Sequence, residues 1–403
     1  MQDVKIVIGA NFGDEGKGLM TDCFAAEAVN DGRRALVICS NGGAQRGHTV
    51  TTPSSIRHVF HHFGSGTLAG ADTWLPRHFI VNPMIFMSEY DELVGKGVHF
   101  SIQGQEQRLK EDLLNPKVAI FMDPECPVTT PFDMITNQII EEYRGTKKHG
   151  SCGLGIWETL LRDGLPLGKM AGLSDAQLRN YLNIECRNQM YRRLAKLGVD
   201  MIPESWKGIL DDGGLIENYI CDFRQMCSLM QLCGTEIMGE YDRLIFETGQ
   251  GLLLDRCRKE YGCHTTPSNT GLRNPAELLR EYQHMTNAGE WYIGDVEVCY
   301  VTRTYLTRHG AGPFSEECTK EEINPDMKDL TNVPNPHQGT LRYGFLDEKS
   351  FLRRIREDFD SERLSRHLKM RMAIAVTHVN EYAHDIIHRA DYISDGETRE
   401  NVK

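Results

Sequence analysis

The sequence predicts an α/β fold, a large, mostly parallel sheet flanked by helices, and three observations carry that prediction. Strand-like apolar runs alternate with helix-like stretches along the chain. Two of the early strands run straight into glycine-rich turns, as site loops do at the carboxyl ends of parallel strands. The chain has 403 residues with 40% hydrophobic content, enough to bury a large core.

Taken in order, Val4 to Ile8 is the first strand, and it feeds Gly9-Ala10-Asn11-Phe12-Gly13-Asp14-Glu15-Gly16-Lys17-Gly18. Gly13, Gly16 and Gly18 let the backbone turn tightly and aim N–H groups at anionic oxygens. Lys17 can reach a phosphoryl group, and Asp14 can hold Mg²⁺ or take a proton. The stretch is not a Walker A loop, because Gly18 stands where that motif needs Ser or Thr after its lysine. A helix follows over roughly Leu19–Asn30, then a second strand over Ala35–Cys39 and a second glycine-rich loop, Asn41-Gly42-Gly43-Ala44-Gln45-Arg46-Gly47-His48-Thr49. Its His48 is placed to act as an acid or a donor. Further strands are expected over Val118–Met122, Arg243–Glu247 and Met372–Val379. Helices are expected over Asp133–Arg144, Asp175–Leu197 and Glu217–Met238. No internal repeat, low-complexity tract or clear linker interrupts the chain, so residues 1–403 read as one domain. His58, His61 and His62 lack matching acidic or thiol spacing and read as histidines of a solvated loop or strand.

Composition sets limits. A net charge of −12 argues against nucleic-acid binding, where a basic face is expected. No apolar stretch approaches the roughly 18 residues of a membrane span, and residues 4–8 read as a strand rather than part of a signal peptide. The 12 cysteines are irregularly spaced with no C-x-x-C, which reads as reduced thiols in a cytoplasm.

The two glycine loops together, G-D-E-G-K-G and then G-G-x-x-x-G-H-T, resemble the opening motifs of the adenylosuccinate synthetase family. Later segments agree in order. Phe246-Glu247-Thr248-Gly249-Gln250-Gly251-Leu252-Leu253-Leu254-Asp255 resembles the family's F-E-G-A-Q-G-T-L-L-D, and Thr265-Thr266-Pro267-Ser268-Asn269-Thr270 its V-T-S-S-N-T. Thr307-Arg308-His309-Gly310-Ala311-Gly312-Pro313-Phe314 resembles T-R-V-G-x-G-P-F, and Ile393-Ser394-Asp395-Gly396-Glu397-Thr398-Arg399 resembles I-S-T-G-P-D-R. The resemblance implies a P-loop-NTPase-like α/β fold with small appended subdomains, acting as a homodimer. It implies a ligase that joins L-aspartate to C6 of a 6-oxopurine nucleotide, IMP by family default, through a 6-phosphoryl intermediate made from a nucleoside triphosphate.

By the same resemblance, Asp14 is the base at N1 and a Mg²⁺ ligand, Lys17 steadies the transferring phosphoryl group, and His48 faces it. The backbone at Gly47 helps hold the metal. Gly13, Glu15, Gly16, Lys17, Gly18, Gly47, His48, Thr49, Asn380 and Gly396 form the triphosphate set. Asp14, Gln45, Ser151, Cys152, Arg162, Gln250 and Thr266 form the purine-nucleotide set, with Gln250 at the 6-position and Arg162 reaching across a dimer in trans. His337, Gln338, Gly339, Thr340 and Arg342 form the amino-acid loop.

Several positions depart from the family pattern. The phosphate-contacting G-T-T-G-R-G-I appears as Gly150-Ser151-Cys152-Gly153-Leu154-Gly155-Ile156, and a thiol is a weak donor. Gln45 replaces an asparagine. Thr340 stands where an arginine serves both the aspartate carboxylate and the ribose 2′-hydroxyl, and it cannot form a bidentate fork. Asn380 replaces an aspartate that accepts from guanine; its amide can match adenine's donor and acceptor, which favours ATP or dATP over GTP. These departures point to a second reading, the bacteriophage relative that acts on dGMP with an adenine triphosphate to make 2-amino-2′-deoxy-N6-succinyladenylate. Two other readings are a ligase using a different amine and a non-catalytic nucleotide-binding paralogue, against which the intact Asp14, Lys17, His48 and Gln250 speak.

Overall fold

A computed structural model describes residues 2–101, 117–199, 201–285, 293–327, 339–362 and 369–403. Among these residues the dominant element is a nine-stranded sheet. Its strands are β1 (Gln2–Gly9), β2 (Ala35–Cys39), β3 (Asp72–Leu75), β4 (Ile120–Met122), β5 (Gln231–Leu232), β6 (Arg243–Glu247), β7 (Ile293–Arg303), β8 (Met370–Thr377) and β9 (Tyr392–Ile393). They lie in the order β9-β8-β7-β1-β6-β2-β3-β4-β5, with every adjacent pair parallel.

Sequence pattern explains why the middle strands are buried on both faces. Side chains alternate between faces with period two. Val7, Val37, Ile245, Cys299 and Val301 enter one apolar cluster. Ile6, Ile8, Leu36, Ile38, Leu244, Phe246, Val298 and Tyr300 enter the other. Near-continuous apolar runs are what such doubly covered parallel strands require. Helix α1 (Lys17–Asn30) contributes Met20, Phe24, Ala25 and Ala28 to the first cluster. A hairpin of His48–Thr51 with Arg57–Phe60 and a three-stranded antiparallel sheet of Tyr305–Arg308, Glu317–Cys318 and Arg342–Phe345 are appended to this frame.

Several expected boundaries are corrected. The strand expected at 118–122 begins at Ile120, and the one expected at 372–379 is β8, ending at Thr377. The helix expected over 217–238 is Gly214–Leu229; Met230 turns to extended backbone, and Gln231–Leu232 joins the sheet edge as β5. The stretch 175–197 is helical but widens into a π-helical turn over Tyr181–Cys186. β7, which lies beside β1, was not anticipated, although its apolar run matches that of its neighbours. His58 and His62 are buried rather than solvated. They sit around Glu89, whose carboxylate accepts the backbone N–H groups of His61 and His62.

Phe246 lies on the central strand β6 and is fully buried. Phe246→Ala should remove about 3–5 kcal/mol of stability, read from the denaturant midpoint. A loss below about 1 kcal/mol would contradict this core assignment.

Candidate functional site

The loops after β1, β2, β6, β7 and β8 all leave the carboxyl edge of the sheet, where open parallel sheets bind ligands. The first loop is folded by its own glutamate. Glu15 Oε1 accepts the N–H groups of Asn11 and Gly13 at 2.8 and 2.9 Å, and its Oε2 holds Lys17 Nζ at 3.0 Å. Glycine is obligatory at position 9, where a Cβ would sit 2.6 Å from both Gln250 O and Glu15 Oε2. At position 16 φ is 92°, and a Cβ would lie 2.9 Å from Thr377 Cγ2. Gly16 also starts α1 without a side-chain cap, so the first-turn N–H groups are left for an anion.

The second loop is fixed by Glu247, at the end of β6 and fully buried. Its carboxylate holds His48 Nδ1 at 2.7 Å and Arg46 Nη2 at 2.9 Å, and accepts from the backbone N–H and hydroxyl of Ser65. Burial opposes its ionisation, but Arg46, His48 and Ser65 together hold the carboxyl at about 2. Burial brings the His48 imidazole down to about 4 despite Glu247, with Arg46 and Lys17 adding to the shift. His48 is therefore neutral at pH 7, with Nδ1–H donated to Glu247 and Nε2 left for a ligand.

Asp14 lies within the first loop, with φ at 59°. Burial works against its charge, but the hydrogen bond from His309 and the charges of His309, Arg303 and Lys17 hold it at about 2. The backbone here is also gripped: Arg303 Nε donates to Asp14 O. Asp14, Glu15, Gly16, Lys17, Gly18, Gly47, His48, Thr49, Asn380 and Gly396 all line one open cleft, joined by Arg57, Arg303, His378 and Glu381. Gly13 lies just behind the lining, against the Gln250 backbone. Asn380 is exposed at the end of β8, which Thr377 ties to the first loop through a 2.8 Å bond to Glu15 O.

Gln45 and Gln250 flank the Gly42–Gly43 pair. A Cβ on Gly43 would be 3.1 Å from Gln45 Oε1, and one on Gly42 would be 3.6 Å from Gln250 Oε1. Both amide atoms of Gln45 and Oε1 of Gln250 are buried without a partner among the described residues. Buried polar atoms are rarely left so, and a bound polar ligand would complete them. The 149–152 loop packs against Gly310 and Ala311, and His149 meets His264, two residues before the buried Thr266. Ser151 donates to Asn137 at 2.7 Å, and the amides of His149, Gly150 and Ser151 all point to Glu141. Burial raises the Cys152 thiol.

Two of the arginines expected to meet substrate have partners within the chain. Arg162 is committed within its own chain. Its Nε donates to Asp133 at 2.9 Å, Nη1 to Tyr181 at 2.6 Å and Nη2 to Val128 O at 2.7 Å, with the side chain 5% exposed. Arg342 forks onto Glu317 through two 2.7 Å bonds and donates to the carbonyls of Gly310 and Gly312. Gly339 and Thr340 are exposed, whereas His337 and Gln338 lie outside the described residues.

The model of the adenylosuccinate synthetase family matches residues 6–350. The chain belongs to that family. Its members are ligases that form C–N bonds with a nucleoside triphosphate. The chain is 24% identical to the adenylosuccinate synthetase of Limosilactobacillus fermentum over 363 residues, covering 85% of this chain and 71% of that protein. It is 28% identical to that of Chromohalobacter salexigens over 331 residues, covering 78% and 65%. The chain spans about two thirds of the length of that relative and of those of Mycobacterium marinum and Mycobacterium leprae. The fold also matches a fully ligated adenylosuccinate synthetase from Plasmodium falciparum, with a TM-score of 0.65, 16% identity and 99% of each chain covered. A second match is the succinoaminodeoxyadenylate synthetase of cyanophage S-2L, bound to dGMP and to dATP as an energy donor. There the TM-score is 0.59 at 12% identity, covering 100% of this chain and 95% of that one. At these identities both structural likenesses concern the fold.

Arg46, Glu247, Arg303 and His309 were not singled out by motif reasoning. Arg46 and Glu247 lie inside the glycine-loop and F-E-T-G-Q-G segments, and Arg303 ends the overlooked apolar run of β7. His309 was visible as a departure from the family's valine. Because Glu247 neutralises a buried arginine, Glu247→Gln should cost about 3–5 kcal/mol, lowering the denaturant midpoint. An unchanged midpoint would show that Arg46 has another counter-charge.

Proposed function

We propose that this chain joins L-aspartate to C6 of a 6-oxopurine nucleotide, activating the oxygen with a nucleoside triphosphate. The observation that carries the reading is the convergence of Asp14, Lys17 and His48 on one cleft. Family membership supports it. Asp14, held ionised, takes the N1 proton, and the charge gained at O6 drives its attack on the γ-phosphorus. The O6–P bond forms as the bond from phosphorus to the departing nucleoside diphosphate breaks. Lys17 and the first-turn amides of α1 receive the charge that spreads over the phosphoryl oxygens. With Nδ1 committed to Glu247, His48 meets the phosphoryl group through Nε2; the group's negative charge favours the protonated ring, so that Nε2–H donates. The aspartate amine then bonds to C6 as phosphate leaves. Gln250, with Oε1 unpartnered, suits the purine's 6-position, and Gln45 the mononucleotide phosphate.

Mg²⁺ fits the donors present. Among the described residues no group of three or more His, Cys, Asp or Glu side chains could hold a metal alone. A magnesium ion bound mainly by phosphate oxygens needs only one or two protein oxygens, which the Asp14 carboxylate and the Gly47 carbonyl would supply. Its chemistry there would be neutralisation of phosphate charge.

IMP is the default purine. The commitment of Arg342 to Glu317 favours a second reading, dGMP with ATP or dATP, because no arginine of that loop remains to read a ribose 2′-hydroxyl. The exposed Asn380 in the cleft points the same way. A homodimer is supported by the exposed Trp157, Leu160 and Leu161 on the helix Ile156–Arg162; Arg162 itself is not part of that proposal. One sheet that draws strands from residue 2 to residue 393 supports reading the chain as one domain. Among the described residues no helix is long and apolar enough to cross a membrane, and the 12 cysteines are free, which supports a cytoplasmic setting.

The test is a grid of L-aspartate and Mg²⁺ with IMP, dIMP, GMP or dGMP against ATP, dATP or GTP, following the succinyl adduct by mass spectrometry. Product from IMP with GTP supports the default substrate pair, and product from dGMP with ATP or dATP supports the second reading. Nucleotide binding without turnover under any amine would overturn the ligase reading. Turnover only with another amine would overturn aspartate.

A further inference from the structure

We propose that His309 is a positioning residue for Asp14, holding one carboxylate oxygen so that the other faces the purine N1–H. The inference deepens the ligase reading and rests on Asp14 being the base. His309 Nε2 lies 3.1 Å from Asp14 Oδ2, and both side chains are partly exposed, at 27% and 21%. The contact belongs to a larger grip. Along 303–309, Arg303 donates to Asp14 O, Thr307 Oγ1 donates to Gly13 O at 3.3 Å, and His309 meets the Asp14 side chain. Backbone and carboxylate of one residue are thus fixed from a single segment.

That grip answers a local need. Asp14 has a positive φ between two positive-φ glycines, Gly13 and Gly16, so the loop's own backbone is permissive around it. A short aspartate side chain on such a loop has freedom about χ1 and χ2 that a base must lose, since a misplacement of about 1 Å can cost on the order of 100-fold in rate. Valine at this place in the family pattern has no donor. The hydrogen bond to Asp14 is therefore a feature of this chain rather than of the motif.

The experiment compares kcat and KM in wild type, His309→Val and His309→Gln, using the nucleotide pair that the wild type turns over, with thermal midpoints as a check on folding. His309→Val removes the donor, and His309→Gln restores an amide donor at similar reach. The expected result is a kcat about 10- to 100-fold lower in His309→Val, with the triphosphate KM within about 2-fold of wild type. His309→Gln should regain about 10-fold of the loss, a rescue that a purely structural role would not give. Wild-type kcat in His309→Val, or His309→Gln no better than His309→Val, would overturn the positioning role while leaving the ligase reading intact. Absence of any turnover in the wild type would overturn the ligase reading, and with it this inference.

Discussion

The buried carboxylate of Glu247 is the constraint on which the rest of the site depends. It ends the strand beside β1 and has no exposure to solvent, so its charge must be met inside the protein. Arg46 and His48 meet it from the second glycine loop, and Ser65 meets it from the segment after the hairpin. One ionised group therefore sets the path of the second loop, fixes the His48 tautomer and keeps a buried guanidinium paired. Loss of the charge would strand Arg46, whose Nε and Nη1 have no partner among the described residues.

The first loop is organised in the same way by a smaller device. Glu15 folds the loop around itself and holds Lys17 at the cleft, alongside the amides at the start of α1 and the Asp14 carboxylate. Parallel topology brings the two devices together. The strands that end in these loops pair with β6 on either side, so the loops emerge about two strand spacings apart, roughly 10 Å. β7 and β8 then add Arg303 and Asn380 from the other side of β1.

Much of this was legible in the sequence because its signals are local. Glycine loops after apolar runs located both loops that line the cleft, and Asp14, Lys17, His48 and Asn380 all fall on it. What could not be read there is long-range pairing. Arg162 and Arg342 look like free substrate-binding arginines until Asp133 and Glu317, 29 and 25 residues away, are found to hold them. His309 meets Asp14 from a segment nearly 300 residues further along the chain, and a single substitution in a motif says nothing of that contact. Boundaries failed for a related reason: at Met230 the helix gives way to extended backbone because residues 231–232 find a sheet edge, which no local propensity records.

The central claim is that the purine oxygen leaves as phosphate, and isotopic labelling of that oxygen tests it most directly. A purine nucleotide carrying ¹⁸O at C6 would be turned over with unlabelled triphosphate and L-aspartate, and the released inorganic phosphate analysed by mass. The mechanism requires one ¹⁸O in each phosphate released, because the O6–P bond forms and the C6–O bond breaks. Unlabelled phosphate alongside succinyl product would contradict it, since the oxygen would then have left C6 without ever being bonded to phosphorus.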